Sequence, residues 1–512
     1  MSEHGYCCGT PHGVPRRTFL AAVGGTALGG CALTAASSES GREVARVKPA
    51  LPKKELTVQP TLLYSVHGRR EATSWRPWGG IMTSSDAENE IGRINTELRQ
   101  LAEEAEFPVK FLPVARVHSN AEATAAAKTN ADVMLIYGAS DGAIETLISP
   151  NRHNLVFVRH RSGPIYLWYE IVHPRLLRKT VDVYGQPGLE PFDVIVDDYA
   201  SVLWRLRALY ALKNTVGSRI VAIGGPSGWG AGGQQAPRIA AEKWKMDIQT
   251  VPYPELGKMI ESARADAKRV RRAEAEAEKY LADPLVSLNT DRGFVDRAFL
   301  LNGIFEDLMA QAGAQALTVN HCMGTIMPLA ETTACLPLSL INDSGALAFC
   351  ESDFVVIPSG VLLNHIAGTP VFLQDPTYPH DGVVTVAHCT APRKMDGRHA
   401  EEALIVTHFE SDYGAAPKVN MRIGQEITVI DPDFEHKRWI GFRGTIIAHP
   451  FYAICRSQLD VAIDGDWRKL MEQMRGFHWM IAYGNHLKEM GYALRKLGIE
   501  WYNLTDDRTV EC

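Results

Sequence analysis

The chain of 512 residues has no Cys-x-x-Cys pair, no His-Glu-x-x-His run and no Gly-Lys-Ser/Thr after a glycine-rich stretch. Those absences exclude a zinc ribbon, a zincin protease and a P-loop nucleotide site. No serine sits in a nucleophile elbow. Charge of one sign is lacking too: 53 Lys+Arg against 59 Asp+Glu leave a net charge of −6. Nucleic acid is recognised by a basic face or stripe, so it is not an expected partner. No segment after the N-terminus has the length and apolarity of a membrane-spanning helix. What is there is ordinary for a globular α/β chain, with 46% hydrophobic and 22% charged residues. Such a length allows several domains with sizeable cores.

The N-terminus reads Pro15-Arg16-Arg17-Thr18-Phe19-Leu20, followed by the weakly apolar run Ala21 to Ala36. A twin-arginine pair before such a run is expected to act as a bacterial Tat export signal. Leu28-Gly29-Gly30-Cys31 resembles a lipobox, which makes Cys31 a candidate lipid anchor; cleavage near Ala35 or Ala36 is the alternative. The expected location is periplasmic, as a free or membrane-anchored protein. Residues 1–54 are thus read as signal and linker. Tat substrates cross folded, so a weakly held ion such as Mn²⁺ could be enclosed before Cu²⁺ or Zn²⁺ competes for the site. Of the nine cysteines, Cys322, Cys335, Cys350, Cys389, Cys455 and Cys512 are scattered, and most of them read as small buried hydrophobes.

From Leu56 the pattern alternates between strands and helices. Asp132 to Tyr137 is a continuous apolar run, as in a parallel sheet covered on both faces. This rhythm predicts two doubly wound α/β domains, at 55–175 and 176–355. Phe192 to Val196 is placed in the second, and Glu255 to Ala282 reads as one long helix. After Glu351 short β-rich runs follow at close spacing, at 371–375, 383–388, 403–409, 418–423, 426–432 and 441–448. They predict a small barrel or sandwich over 356–512, ending in helices at 466–475 and 486–497.

Several clusters carry candidate chemistry. The turn Gly224 to Gly233 follows a strand and precedes a helix, where backbone amides can cradle a phosphate. A mobile loop beside a substrate pocket is the plainer expectation. Glu331, Asp343, Glu351 and Asp353 punctuate a mostly uncharged region, and a buried carboxylate needs a partner. Glu351, amid Phe349-Cys350 and Phe354-Val-Val-Ile, is the functional candidate; Asp343 and Asp353 read as caps or turns. In the strand ending at Asp375, Val371, Leu373 and Asp375 share a face and Gln374 points away. A turn at His380-Asp381-Gly382 that pairs Tyr378 with Val383 would set Asp375 opposite Val386. His388 would then lie diagonally, about 7–8 Å away. His478 heads an apolar run in Gly476-Phe-His-Trp-Met. His321, His365, His408, His449 and His486 read as packing, capping or surface residues. Trp479, Tyr378 and Trp439 are candidate stacking aromatics, with core packing as the plainer expectation for each.

The segments Gly345-Ala-Leu-Ala-Phe-Cys-Glu351-Ser-Asp, Thr369-Pro-Val-Phe-Leu-Gln-Asp375, Val386-Ala-His388-Cys-Thr-Ala-Pro and Gly476-Phe-His478 resemble the L-fucose isomerase and L-arabinose isomerase superfamily. The resemblance covers roughly 319–500. It implies a metal triad of Glu351, Asp375 and His478, with the two carboxylates also serving proton transfer. His388 matches a further histidine ligand of the arabinose branch, and that branch has a glutamate where this chain has Gln374. This departure favours the fucose-like triad and leaves His388 as a ligand or substrate contact, with Gln374 and Trp479 as substrate contacts. The implied activity is aldose–ketose isomerisation of a monosaccharide through an ene-diol, with Mn²⁺ (or Mg²⁺) as cofactor. A homo-oligomer, trimer or hexamer, is implied as well. Two alternatives stay open: an exported carbohydrate-binding protein without turnover, and a sugar epimerase or aldolase.

Overall fold

The structure is a computed structural model and describes residues 53–140, 142–166 and 187–506. Contacts divide the chain after Lys48, and every described residue belongs to the unit Pro49–Cys512. Arg16, Arg17, Cys31 and most of the expected linker lie outside the described residues. Among the described residues no single helix is long and apolar enough to cross a membrane.

The first sheet is parallel and centres on Leu56–Leu63. That strand pairs with Val109–Phe111, Ala115–Val117 and Val133–Gly138; His153–Val158 and Val194–Val196 extend the sheet. Every position of Val133–Gly138 is buried, which explains its unbroken apolar reading. The helix Ser84–Glu104 starts on a capping box formed by Thr83 and Asp86, a pairing that satisfies two otherwise unpaired amides. Val194–Val196 joins this sheet rather than the next, contrary to its expected place in the second domain. Local pattern identifies a strand, but not its partner.

A second parallel sheet runs in the order Leu347–Phe349, Ala316–Val319, Arg219–Ile223, Asp247–Val251. The helix expected over 255–282 is broken in two, Tyr253–Ala265 and Ala267–Leu281. Asp266 sits at the break with non-helical backbone, and its carboxylate accepts from the amides of Lys268 and Arg269. An N-cap of this kind competes with helix continuation.

The C-terminal region is a closed antiparallel barrel of six strands. Glu426–Pro432, Trp479–Tyr483, Phe372–Pro376, Val383–His388, Ser457–Asp464 and Arg438–Ala448 pair in that order, and the last pairs back to the first. Along Phe372–Pro376 and its neighbours, Phe372, Val384, Val386, Trp479 and Ile481 enter one core. The intervening Leu373, Met480 and Ala482 enter another, shared with the helix Ile357–Ala367. This alternation is the period-two pattern of strands. A small sheet of Tyr413–Asn420, Glu402–His408 and Val286–Asn289 ties the barrel region to the second α/β layer.

The hairpin joining Phe372–Pro376 to Val383–His388 differs from expectation by one residue. His380 bridges Val383, across a tight turn in which Asp381 and Gly382 both have positive φ, the backbone favoured in two-residue hairpin loops. Thr377 donates to Thr385 and Asp375 pairs with Ala387, not Val386. Between those pairs the first arm spends one residue more than the second, a bulge at Tyr378–Pro379. Pro379 has no amide to give to a ladder, so a bulge there costs little.

Candidate metal centre

Four side chains from four places in the chain meet at the rim of the barrel. Glu351 follows the edge strand Leu347–Phe349 of the second sheet, at the carboxyl ends of its strands, where open α/β sheets bind ligands. Glu351 and Ser352 both carry positive φ, 63° and 47°. Non-glycine residues pay roughly 1–3 kcal/mol each for such a backbone, and strain of this kind gathers at functional sites. Asp375 lies on one barrel strand, and His478 immediately precedes the neighbouring strand Trp479–Tyr483. Gln374 pairs with Trp479, so the next step along that ladder sets Asp375 beside His478. His388 ends the adjacent strand.

His478 Nε2 lies 3.1 Å from Asp375 Oδ1 and 3.4 Å from Glu351 Oε2. His388 Nε2 lies 3.9 Å from Glu351 Oε1 and 4.0 Å from Asp375 Oδ2. Ligands bonded to one ion at about 2.1 Å stand roughly 3.0 Å apart when adjacent and roughly 4.2 Å apart when opposed. The observed gaps fall in that range. Donors of Asp375, His388 and His478 lie mutually within 4.8 Å. Asp375 Oδ1, His388 Nε2 and His478 Nε2 are all buried without a hydrogen-bond partner. Orphaned buried polar atoms are costly, and three of them converging on one point fit a divalent cation. The carboxylate side is the open one: the Glu351 side chain is 35% exposed and Asp375 29%, while His478 is 0% exposed.

Asp353 completes the arrangement. It is 1% exposed, and its Oδ2 accepts from His478 Nδ1 at 2.7 Å. Its Oδ1 accepts from the amides of Trp229 and Val355. The turn role expected from sequence is present, but the same carboxylate also fixes the His478 tautomer with Nε2 facing the site. Metal-bound histidines regularly lean on a carboxylate in this way. Asp353→Ala is therefore expected to weaken Mn²⁺ binding by about 10–100-fold, while Asp353→Asn, which keeps an acceptor, loses less. Calorimetric Mn²⁺ titration of both variants checks this. Equal affinities for wild type and Asp353→Ala would refute the positioning role.

Burial alone would push the Glu351 carboxyl up, but the two histidines outweigh it and hold it below its ordinary value. For His478 burial disfavours the charged form, yet its bond to Asp353 and the nearby carboxylates of Asp375 and Glu351 hold its pKa well above that of a free imidazole. In the metal-free chain this histidine is protonated where a free one is neutral. Its contribution to metal-free stability is complete below the unfolded imidazole value and fades as pH rises through the raised folded one. A cation needs the bare Nε2, so uptake releases a proton and strengthens as pH rises through the same range. Titrations in two buffers of different ionisation enthalpy, repeated at several pH values, measure both effects. Uptake without proton release would contradict this charge state.

The glycine-rich turn Gly224 to Gly233 spends two of its amides on the segment that carries Glu351. The Ser227 amide donates to the Ser352 carbonyl, and Ser227 in turn accepts from the Phe354 amide. The Trp229 amide is spent on Asp353. A Cβ on Gly228 would sit 2.0 Å from the Gly233 carbonyl oxygen, so the fold-back needs glycine there. The turn presents Trp229 over the site. Its ring lies 4.7 Å from that of Phe477 and 5.9 Å from that of His478, and Trp229 and Phe477 are both about half exposed. These two aromatics escape a reading by motif because exposure and pairing depend on the loop path.

Two of the aromatics depart from expectation. Trp479 is fully buried, edge-on to Phe442, and Trp439 stacks on Trp244 inside the core. A stacking platform needs a free face, so both are packing residues. Gln374 is fully buried, with neither amide atom partnered. Tyr378 is exposed. His365 is buried against Tyr210 in the core, and His486 bonds to the Tyr483 carbonyl. Asp343 accepts from the Lys394 amide. Asp431 is buried, and its carboxylate takes the amides of Arg475 and Gly476, anchoring the approach to His478.

No protein-family model matches the chain, and no curated protein matches it.

Proposed function

We propose that this chain is a divalent-cation-dependent aldose–ketose isomerase acting on a monosaccharide. One observation supports it most: three buried, unpartnered donors on Asp375, His388 and His478 converge beside Glu351. In this reading Glu351, Asp375 and His478 hold the ion, and His388 is a fourth ligand or a contact to substrate. Mn²⁺, with Mg²⁺ as second choice, suits oxygen-rich donors plus imidazole. When bound, such an ion supplies Lewis-acid stabilisation of negative charge on substrate oxygen.

The chain's own residues supply the proton chemistry. Isomerisation moves a proton between C2 and C1 through an ene-diol, which asks for a base beside those carbons. Glu351 is held ionised by its two histidines and is ready to accept a proton at the open side. Asp375, partly exposed on the same side, is the second candidate for proton return. Asp353 holds His478 in place. Trp229 and Phe477 offer an exposed aromatic face to the apolar side of a sugar ring. Export by a Tat-type signal, an anchor at Cys31, an oligomeric assembly and doubly wound layering of the two parallel sheets belong to the same proposal.

Incubating the Mn²⁺-loaded protein with a panel of aldoses and ketoses in D₂O tests it. Isomerisation yields ketose carrying solvent deuterium. An aldose altered at C2 indicates an epimerase, and carbon–carbon cleavage an aldolase. Binding without any exchange of carbon-bound hydrogen would leave a sugar-binding protein and refute turnover.

A further inference from the structure

The resemblance and the proposed reaction leave one donor at the site unused. Cys350 follows the strand Leu347–Phe349 and directly precedes Glu351. Its sulfur, a Glu351 oxygen and a His388 ring nitrogen lie mutually within 4.8 Å. His388 is 3% exposed at its side chain, and its Nε2 is buried without a hydrogen-bond partner. The carboxylate–imidazole group is Asp375, His388 and His478. The two groups share His388; Cys350 is not a member of the first, nor His478 of the second. One ion therefore does not take Cys350 and His478 together unless side chains move.

We propose that Cys350, Glu351 and His388 form a second, sulfur-containing coordination set that captures a thiophilic divalent cation such as Zn²⁺ in competition with the harder ion. The inference rests on reading Glu351 and His388 as cation donors. Zn²⁺ is bound by thiolate, imidazole and carboxylate, the trio assembled here. Mn²⁺ and Mg²⁺ prefer oxygen and imidazole, which the other set supplies. The step balances without an oxidant or reductant: the S–H bond breaks, the sulfur–metal bond forms and the proton leaves to solvent. An ion held there occupies Glu351, a proposed ligand of the harder ion, and His388, a member of the carboxylate–imidazole group. The site thus discriminates against Zn²⁺ poorly, and loading becomes a matter of which ion arrives first.

Co²⁺ reports the difference, because a thiolate ligand gives it a near-ultraviolet charge-transfer band that oxygen and nitrogen donors do not. Titrating the full chain with Co²⁺ is expected to raise this band in wild type and in Asp375→Asn, and not in Cys350→Ser or Cys350→Ala. In competition, displacing bound Mn²⁺ from Cys350→Ser is expected to need at least about tenfold more Zn²⁺ than from wild type, a difference of about 1.4 kcal/mol. Co²⁺ bound by wild type without the band overturns this inference and leaves the cation site standing. A band that survives in Cys350→Ser assigns the sulfur to another cysteine and also overturns it. Failure of wild type to bind Co²⁺ at all would sink both the inference and the proposed metal centre.

Discussion

Asp375→Asn is expected to cut turnover by about 10²–10⁴-fold, the range a positioned acid–base group contributes. The substitution keeps size, shape and one acceptor oxygen. It removes the basic carboxylate that meets His478 at 3.1 Å and faces the open side of the site. Asparagine still offers an oxygen to a cation, so Mn²⁺ affinity should fall far less than rate. Deuterium exchange at carbon, on a sugar that wild type converts, reads the rate; calorimetry reads the affinity. A variant that keeps turnover within a few-fold, with Mn²⁺ bound, would remove Asp375 from the proton path. Glu351→Gln is the companion variant. Groups that act as a unit lose rate non-additively, so the double variant should be little slower than the worse single one.

The second large effect is expected from His478→Ala. A ligand present at about 100 times its dissociation constant stabilises the fold by about 2.7 kcal/mol, and this variant should lose that gain. Thermal melts with and without Mn²⁺ are therefore expected to separate for wild type and coincide for the variant. The metal-free variant should also melt lower. Removing one partner of a buried charged pair costs roughly 3–5 kcal/mol, and Asp353 is left buried without His478. The amides of Trp229 and Val355 remain bonded to Asp353, which places the loss toward the low end. His478→Gln keeps a polar group against Asp353 and guards against simple misfolding. A Mn²⁺-dependent rise in melting temperature that persists in both variants would show the cation elsewhere.

How much of this was legible beforehand differs by residue. Glu351 stood out as a charge inside apolar sequence, and its isolation is physical: a carboxylate there has to find partners. Asp375 and His388 read as a same-face diagonal pair on adjacent strands; they are on adjacent strands, but Asp375 pairs with Ala387, which turns His388 to the opposite face. The shift comes from a bulge at Tyr378–Pro379, which neither strand's own period-two pattern places. Asp353 was read as a turn former. It is one, and nothing local could tell that its second oxygen meets a histidine 125 positions away. The stacking role offered to Trp479 and Trp439 failed for the same reason. Aromatic character is local, but whether a ring faces solvent or core depends on which layer covers it.

The sequence by itself determined the chemistry of the donors and the kind of most major elements, though not the barrel strands Ser457–Asp464 and Trp479–Tyr483. Carboxylates and imidazoles select the class of cation, and apolar periodicity separates buried strands from amphipathic helices, because both are properties of residues and short windows. Tertiary structure decided which donors share a point in space. Strand pairing closes the six-stranded barrel, sets Asp375 beside His478, brings the glycine-rich turn onto Asp353 and places Cys350 within reach of His388. Each of these contacts joins residues far apart along the chain, so its energy depends on the whole arrangement of layers and is carried by no single segment.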